Sequence, residues 1–245
     1  MISIVDGQLR LGGEIIFTGV SWRIDASKRY GLVGANGSGK TSILRVLTGE
    51  YSLEKGRVEK SKSLRIGYLP QEQPELPEAR VGDVLWQAFD DLNQMETTMH
   101  ALMETVQSTA ADAPEHQRAM ERYGHLQEEF QGRGGYSRES EARKVLIGLG
   151  FEHSDWERPV KEFSGGWRMR VLLAKLLLEK PDLYLLDEPT NHLDTDSLAW
   201  FEQYLSSSES GMVVVSHDRY FLDRTISMVA EIENNNVTLY NGNYS

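Results

Sequence analysis

The run Gly34-Ala35-Asn36-Gly37-Ser38-Gly39-Lys40-Thr41 constrains this chain more than any other stretch. It fits the phosphate-binding pattern G-x-x-x-x-G-K-[ST]. Its glycines let successive backbone N–H groups turn inward and form a concave anion nest. An apolar run, Tyr30 to Val33, precedes it, and a helical pattern from Lys40 to Leu47 follows. That order predicts a strand, a loop and a helix whose positive end faces the same phosphates. In this arrangement Lys40 reaches the β- and γ-phosphates and Thr41 offers its hydroxyl to Mg²⁺.

A fold built around such a unit needs further buried strands. Leu183 to Leu186 and Met212 to Val215 are continuous apolar runs, as expected of parallel strands covered on both faces. The first ends in Asp187-Glu188. Beside a phosphate loop, Asp187 is placed to hold Mg²⁺ through water and Glu188 to orient or deprotonate an attacking water. Ile2 to Val5, Ser21 to Ile24 and Leu64 to Leu69 read as strands, with Gly12-Gly13 as a turn. Ile226 to Ile232 and Val237 to Tyr240 read as a hairpin around Asn234-Asn235-Asn236. The pattern predicts an α/β fold with a mostly parallel sheet and an antiparallel β element.

Between these halves the periodicity changes. Leu85, Ala88, Leu92, Met95, Met99, Leu102 and Val106 alternate three and four residues apart. This predicts one helix of about 25 residues, roughly 38 Å long. Ser108 to Pro114 is a polar break, and Ala119, Tyr123, Leu126 and Phe130 resume the spacing. The two runs read as an antiparallel hairpin, either a projecting arm or a pair of core helices. Helical patterns continue to Leu149 and from Gly165 to Leu178, where Pro181 stops the second.

Ser164-Gly165-Gly166 resembles the signature that sets ATP-binding-cassette proteins apart from other phosphate-loop ATPases. Gln71 resembles that family's Q-loop glutamine, His217 its switch histidine, and His192-Leu193-Asp194 its D-loop. Ser164 to Arg170, Asp187 to Asp194 and Ser216 to Leu222 are similar to the ABC-F branch. Members of that branch carry two cassettes on one chain, lack membrane domains and include ribosome-associated translation factors. The resemblance covers essentially the whole chain. It implies a P-loop NTPase fold of the ABC nucleotide-binding type over residues 1–245. Residues 1–71 and 179–245 would form the ATPase core with its β subdomain, and 72–178 a helical subdomain carrying an arm at about 81–132.

The resemblance also implies roles. ATP and Mg²⁺ are the expected ligands, with Thr41, Gln71 and Asp187 at the metal. Glu188, His217 and Gln71 are the expected catalytic group. Ser164, Gly165 and Gly166 would grip the γ-phosphate held by a second cassette, on the same full-length chain or in a homodimer. Ser164 also fits a plain helix N-cap, and Asp194 the N-cap of a helix from Thr195 to Leu205. Trp167, Arg168 and Arg170 read as packing and surface residues.

Three positions depart from the family pattern. The aromatic that stacks on adenine should fall near Leu11, and none is there; Phe17 and Tyr30 are the nearest. Phe163 stands where leucine usually precedes the signature serine. The chain stops at Gly242 to Ser245, where the family pattern continues into a second cassette, so the expectation is a first nucleotide-binding domain.

Composition narrows the partners. The chain has 26 basic and 37 acidic residues, a formal net charge of −11. Such a chain repels phosphate backbones at long range, which disfavours general DNA binding. Residues 81 to 133 carry ten acidic and three basic side chains, so any contact with a ribosome should involve basic proteins or the linker to a second cassette. The absence of cysteine excludes disulfides and thiolate metal sites. No signal peptide or membrane-length apolar run is evident, and the expected compartment is the cytoplasm. Asn36-Gly37-Ser38 and Asn236-Val237-Thr238 match the glycosylation sequon, but the first lies inside the phosphate loop. A transporter subunit docking on separate membrane proteins is the alternative reading.

Overall fold

In a computed structural model, residues 1–74, 76–233 and 236–244 are described. In chain order the first half comprises β1 (Ile2–Leu11), β2 (Glu14–Ile24), β3 (Arg29–Gly34), α1 (Lys40–Thr48), β4 (Lys55–Lys60), β5 (Ile66–Leu69), α2 (Val81–Trp86), α3 (Asp90–Ser108) and α4 (Pro114–Gly132). The second half comprises α5 (Arg138–Gly148), α6 (Gly165–Glu179), β6 (Leu183–Asp187), α7 (Thr195–Ser207), β7 (Gly211–Val215), α8 (Arg219–Thr225), β8 (Met228–Glu233) and β9 (Asn236–Asn241).

Six strands form one sheet in the order β5-β6-β7-β3-β8-β9. All neighbours pair in parallel except β8 and β9. Alternation along the central strands divides the core into two layers. Tyr184 and Leu186 of β6, with Met212 and Val214 of β7, pack among the helices α5, α6 and α7. Leu183, Leu185, Val213 and Val215 face the opposite way, onto α1 and β1–β2. Both strands are buried throughout, so each apolar side chain contributes about 1.5–3 kcal/mol of burial free energy. The other sheet is antiparallel, in the order β2-β1-β4. The architecture is the α/β one that the sequence predicts, a mostly parallel sheet with an antiparallel β element and a helical subdomain.

Three details differ from the sequence reading. The single helix of about 25 residues expected to carry the seam from Leu85 to Val106 is broken by a 3-10 turn at Gln87–Phe89. Trp86 and Phe89 both turn toward the core there, with rings 5.9 Å apart, and Trp86 meets Trp156 edge-on. The carbonyl of Trp86 accepts a hydrogen bond at 3.0 Å from the Asn93 side chain, so the break leaves that group satisfied. β4 was not anticipated, because every residue of Lys-Gly-Arg-Val-Glu-Lys is exposed and no apolar alternation marks it. α8 was not anticipated either; its seven residues directly follow a strand-end loop.

α3 and α4 pack side by side as a hairpin, with only Leu92, Met99, Ala119 and Phe130 of the two fully buried. Arg133 ties its base through Asp91 and Glu129, and Arg138 pairs with Glu96. β8 and β9 form the antiparallel pair expected at the end, and the expected turn at Asn234 and Asn235 lies outside the described residues. No helix among the described residues is long and apolar enough to cross a membrane.

Candidate active site at the carboxyl ends of four parallel strands

β5, β6, β7 and β3 are consecutive neighbours in the sheet and run in one direction. Their carboxyl ends therefore open on one edge, the place where ligands bind in open α/β sheets. Each end delivers one group: Gln71 after β5, Asp187 and Glu188 at β6, His217 after β7, and the glycine loop after β3. A cleft of about 500 Å³ joins them. Asn36, Gly37, Gly39, Lys40, Thr41, Gln71, Asp187, Glu188 and His217 all line it. Gly34, Ala35 and Ser38 complete the loop without lining the cleft.

The loop's shape follows from its glycines. Gly34, Gly37 and Gly39 have φ of 152°, 80° and 93°, a region L side chains rarely adopt. Gly39 is the N-cap of α1, so the helix opens directly beneath the cleft. The Lys40 ammonium donates to the carbonyls of Gly34 and Ala35 at 2.9 and 3.0 Å. It is thereby held over the loop it belongs to.

Asp187 is 1% exposed, and neither carboxylate oxygen has a hydrogen-bond partner of good geometry. Burial pushes its pKa above the ordinary carboxylate range, while the nearby Thr41 hydroxyl, Arg45 and Lys40 oppose the shift. A buried carboxylate left unpartnered beside a hydroxyl is a strong oxygen donor pair for a hard cation. Gln71 adds an amide oxygen on the same cleft. Among the described residues there is no cluster of three or more His, Cys, Asp and Glu that would hold a metal by itself. One carboxylate with neutral oxygens suits Mg²⁺, which binds protein through one or two carboxylates plus substrate phosphates.

Glu188 sits differently. Its backbone has φ of 51°, a left-handed conformation, and its N–H donates to the Val215 carbonyl at 2.8 Å. That torsion costs about 1–2 kcal/mol for a non-glycine residue. The side chain is buried but points at His217: the His217 N–H donates to Oε2 at 3.3 Å, and the imidazole Nε2 lies 3.4 Å from Oε1. Burial raises the Glu188 pKa, with His217 pulling against it. His217 is far from buried, its side chain 71% exposed, so it is not a satisfied core histidine.

Ser164, Gly165 and Gly166 do not line this cleft. They open α6 on a separate face, where Ser164 and Gly165 are exposed. Ser164 holds the N-cap position with φ −63° and ψ 164°, yet its hydroxyl makes no capping hydrogen bond. The side chain that most often satisfies a helix start is thus left free at this one. Asp194 does cap α7, accepting from the Ser197 N–H at 2.9 Å.

Two residues were missed by sequence reasoning. Ile16 of β2 lines the cleft, and a methyl at Gly39 would lie 3.1 Å from its Cγ2. Leu11 does not reach the cleft, Phe17 is fully buried and Tyr30 is 2% exposed. Ile16 is therefore the apolar wall beside the glycine loop. In sequence it is one of three consecutive apolar residues, Ile15 to Phe17, and nothing distinguishes it from its neighbours. Arg170, expected as packing or surface, is 8% exposed and hydrogen-bonds to Leu149 O, His192 O, Asp194 and Ser197. Its partners lie over twenty residues away, outside the reach of any local pattern.

The ABC transporter family model matches residues 17–191. YdiF of Bacillus subtilis (strain 168) is 42% identical over 234 residues, covering 96% of this chain and 36% of that protein. ABC transporter F family member 5 of Arabidopsis thaliana is 36% identical, covering 95% of this chain and 34% of that protein. The chain thus spans about a third of the length of both relatives. Among solved structures, an ATP-binding subunit of an ABC transporter superposes with TM-score 0.72 at 14% identity, covering 98% of this chain and 90% of that one. The dimeric cassette MJ0796, bound to ADP and Pi, superposes with TM-score 0.63 at 18% identity, covering 98% of each chain. These two likenesses concern the fold.

Proposed function

The chain belongs to the ABC transporter family as an ATP-binding cassette, and from that premise we propose that it binds Mg²⁺-ATP in the cleft and hydrolyses it. The observation that carries this reading is Asp187: two buried, unpartnered carboxylate oxygens beside Thr41 and beneath a phosphate loop. Thr41, Gln71 and Asp187 would hold Mg²⁺, which when bound neutralises charge on the β- and γ-phosphates. The loop N–H groups and Lys40 bind and orient the triphosphate.

Glu188 takes a proton from the attacking water. An oxygen–phosphorus bond forms to the γ-phosphorus, the bond to the β–γ bridging oxygen breaks, and ADP leaves. A carboxylate with a raised pKa is a stronger base than an ordinary one, which suits that role. His217, in contact with Glu188, is placed to hydrogen-bond the γ-phosphate and register its loss.

The exposed, uncapped Ser164 supports closure against a second cassette, whose nucleotide it would grip. The dimeric state of MJ0796 supports the same geometry. The second cassette is either on the same full-length chain or on another copy. The ABC-F assignment rests on the 36% identity to ABC transporter F family member 5 and on the α3–α4 hairpin. On that reading the cassette is cytoplasmic and couples ATP-driven closure to the ribosome, in translation regulation or antibiotic resistance.

The test of the first part is Mg²⁺-dependent ATP binding that Lys40→Ala abolishes. The test of the second is sedimentation of the full-length Glu188→Gln protein with ribosomes. ATP-dependent co-sedimentation supports the ABC-F role, and co-purification with membranes instead would favour a transporter subunit.

A further inference from the structure

Behind the cleft lies a second, smaller cavity of about 170 Å³. Lys40 and His217 line both spaces. The far wall is made by Ser216, Arg219 and Tyr244, with Gly34 at the loop end. Its lining contains no aspartate or glutamate among the described residues, in a chain whose formal net charge is −11.

Cationic side chains border it. Arg219 stacks over the Tyr244 ring at 5.6 Å and is held by no carboxylate among the described residues. The nearest candidate in sequence, Asp218, is committed to capping α8 through the Phe221 N–H at 3.0 Å. Tyr244 is fixed from behind, its backbone N–H donating to Asp223 at 2.8 Å. Ser216 accepts from the Asp218 N–H and lies 3.4 Å from the Thr190 hydroxyl. Lys40, Arg219 and the His217 imidazole, whose Nε2 also lies 3.4 Å from Glu188 Oε1, therefore border one small space.

We propose that this cavity is a second oxyanion site, which receives the inorganic phosphate that ATP hydrolysis liberates before it reaches solvent. The proposal rests on the reading of the cleft as an ATPase site. Closure of a second cassette over the cleft would block the way a nucleotide enters, but the product phosphate is far smaller than ADP. Lys40 and His217 touch both spaces, so the same two side chains can follow the anion from one to the other. Arg219 then supplies charge-assisted hydrogen bonds where the γ-phosphate contacts end.

Equilibrium dialysis of radiolabelled inorganic phosphate against the chain saturated with Mg²⁺-ADP tests this, because ADP fills the glycine nest. One phosphate per chain is expected. Arg219→Ala should weaken it about tenfold, the effect of losing one charge-assisted contact, while ADP affinity stays within about twofold of wild type. Arg219→Lys should keep most of the affinity. Phosphate should also inhibit turnover less in Arg219→Ala than in wild type. Unchanged phosphate binding in Arg219→Ala would place the anion in the cleft and overturn the proposal. So would failure of phosphate to bind while ADP is bound. Failure of ADP itself to bind would instead remove the ATPase reading on which the proposal stands.

Discussion

The Arg170 guanidinium donates to the Asp194 carboxylate at 2.8 Å, joining the helix with Ser164 at its N-cap position to the loop that leaves Glu188. The same guanidinium reaches the carbonyls of His192 and Leu149 and stacks over Trp167 at 4.5 Å. With the backbone Ser197 N–H, it holds the Asp194 pKa down to about 2. Three segments distant in sequence thus share one side chain.

Replacing Arg170 by Met should remove all these bonds while keeping some of the stem packing. The buried Leu149 carbonyl and the half-buried His192 carbonyl lose their donor, and a loss of roughly 2 kcal/mol is expected. For a chain of this size that lowers the melting temperature by about 4–8 °C. Thermal unfolding followed by circular dichroism measures it. An unchanged melting temperature would mean the contacts are incidental.

Asp187→Asn should have the opposite effect on stability. The folded pKa of Asp187 is raised by burial, so the folded state favours the protonated carboxyl. Below the unfolded pKa both states are protonated and no penalty exists. As pH rises through and above the ordinary carboxylate range, the buried charge costs stability. At neutral pH, without nucleotide or Mg²⁺, the asparagine variant should therefore be more stable, by about 1 kcal/mol. Near pH 3 the difference should vanish. Mg²⁺-ATP should stabilise wild type far more than the variant.

Glu188→Gln should bind ATP with near wild-type affinity and hydrolyse it about 10²–10⁴ times more slowly. In wild type the raised Glu188 pKa should move the acid limb of the rate profile to higher pH than an ordinary carboxylate gives. Turnover measured across pH 4.5 to 8 checks both. A glutamine variant with wild-type turnover would remove Glu188 from the mechanism.

Ser164→Ala separates the two faces of the cassette. The cleft lacks Ser164, so the isolated chain should bind ATP with unchanged affinity. Turnover by any assembly of two cassettes should fall, by about tenfold for one lost contact to a charged phosphate. Helix stability should change little, because the hydroxyl makes no cap bond. A drop in single-chain ATP affinity would contradict the two-cassette geometry.

The groups around the phosphate loop were legible because loop chemistry is local. Gly34 to Thr41 must be contiguous to form a nest, and Asp187 and Glu188 end an apolar run whose length marks a buried strand. Gln71 and His217 were reached only through family resemblance, since one polar residue after a strand has no physical signature of its own. Arg170 and Ile16 escaped because their meaning lies in distant partners. The break at Gln87–Phe89 escaped for a different reason: apolar spacing continues straight through it, and only the packing of Trp86 on Phe89 and Trp156 imposes the turn.

The left-handed backbone at Glu188 has an evolutionary corollary. Glycine or asparagine would relax that torsion at once. A library of this chain selected for heat resistance alone should drift toward those two residues at position 188 and lose turnover as it does. Glutamine, which keeps the torsion, should gain nothing from relief of that strain. At this residue, selection for durability and selection for work pull the sequence apart.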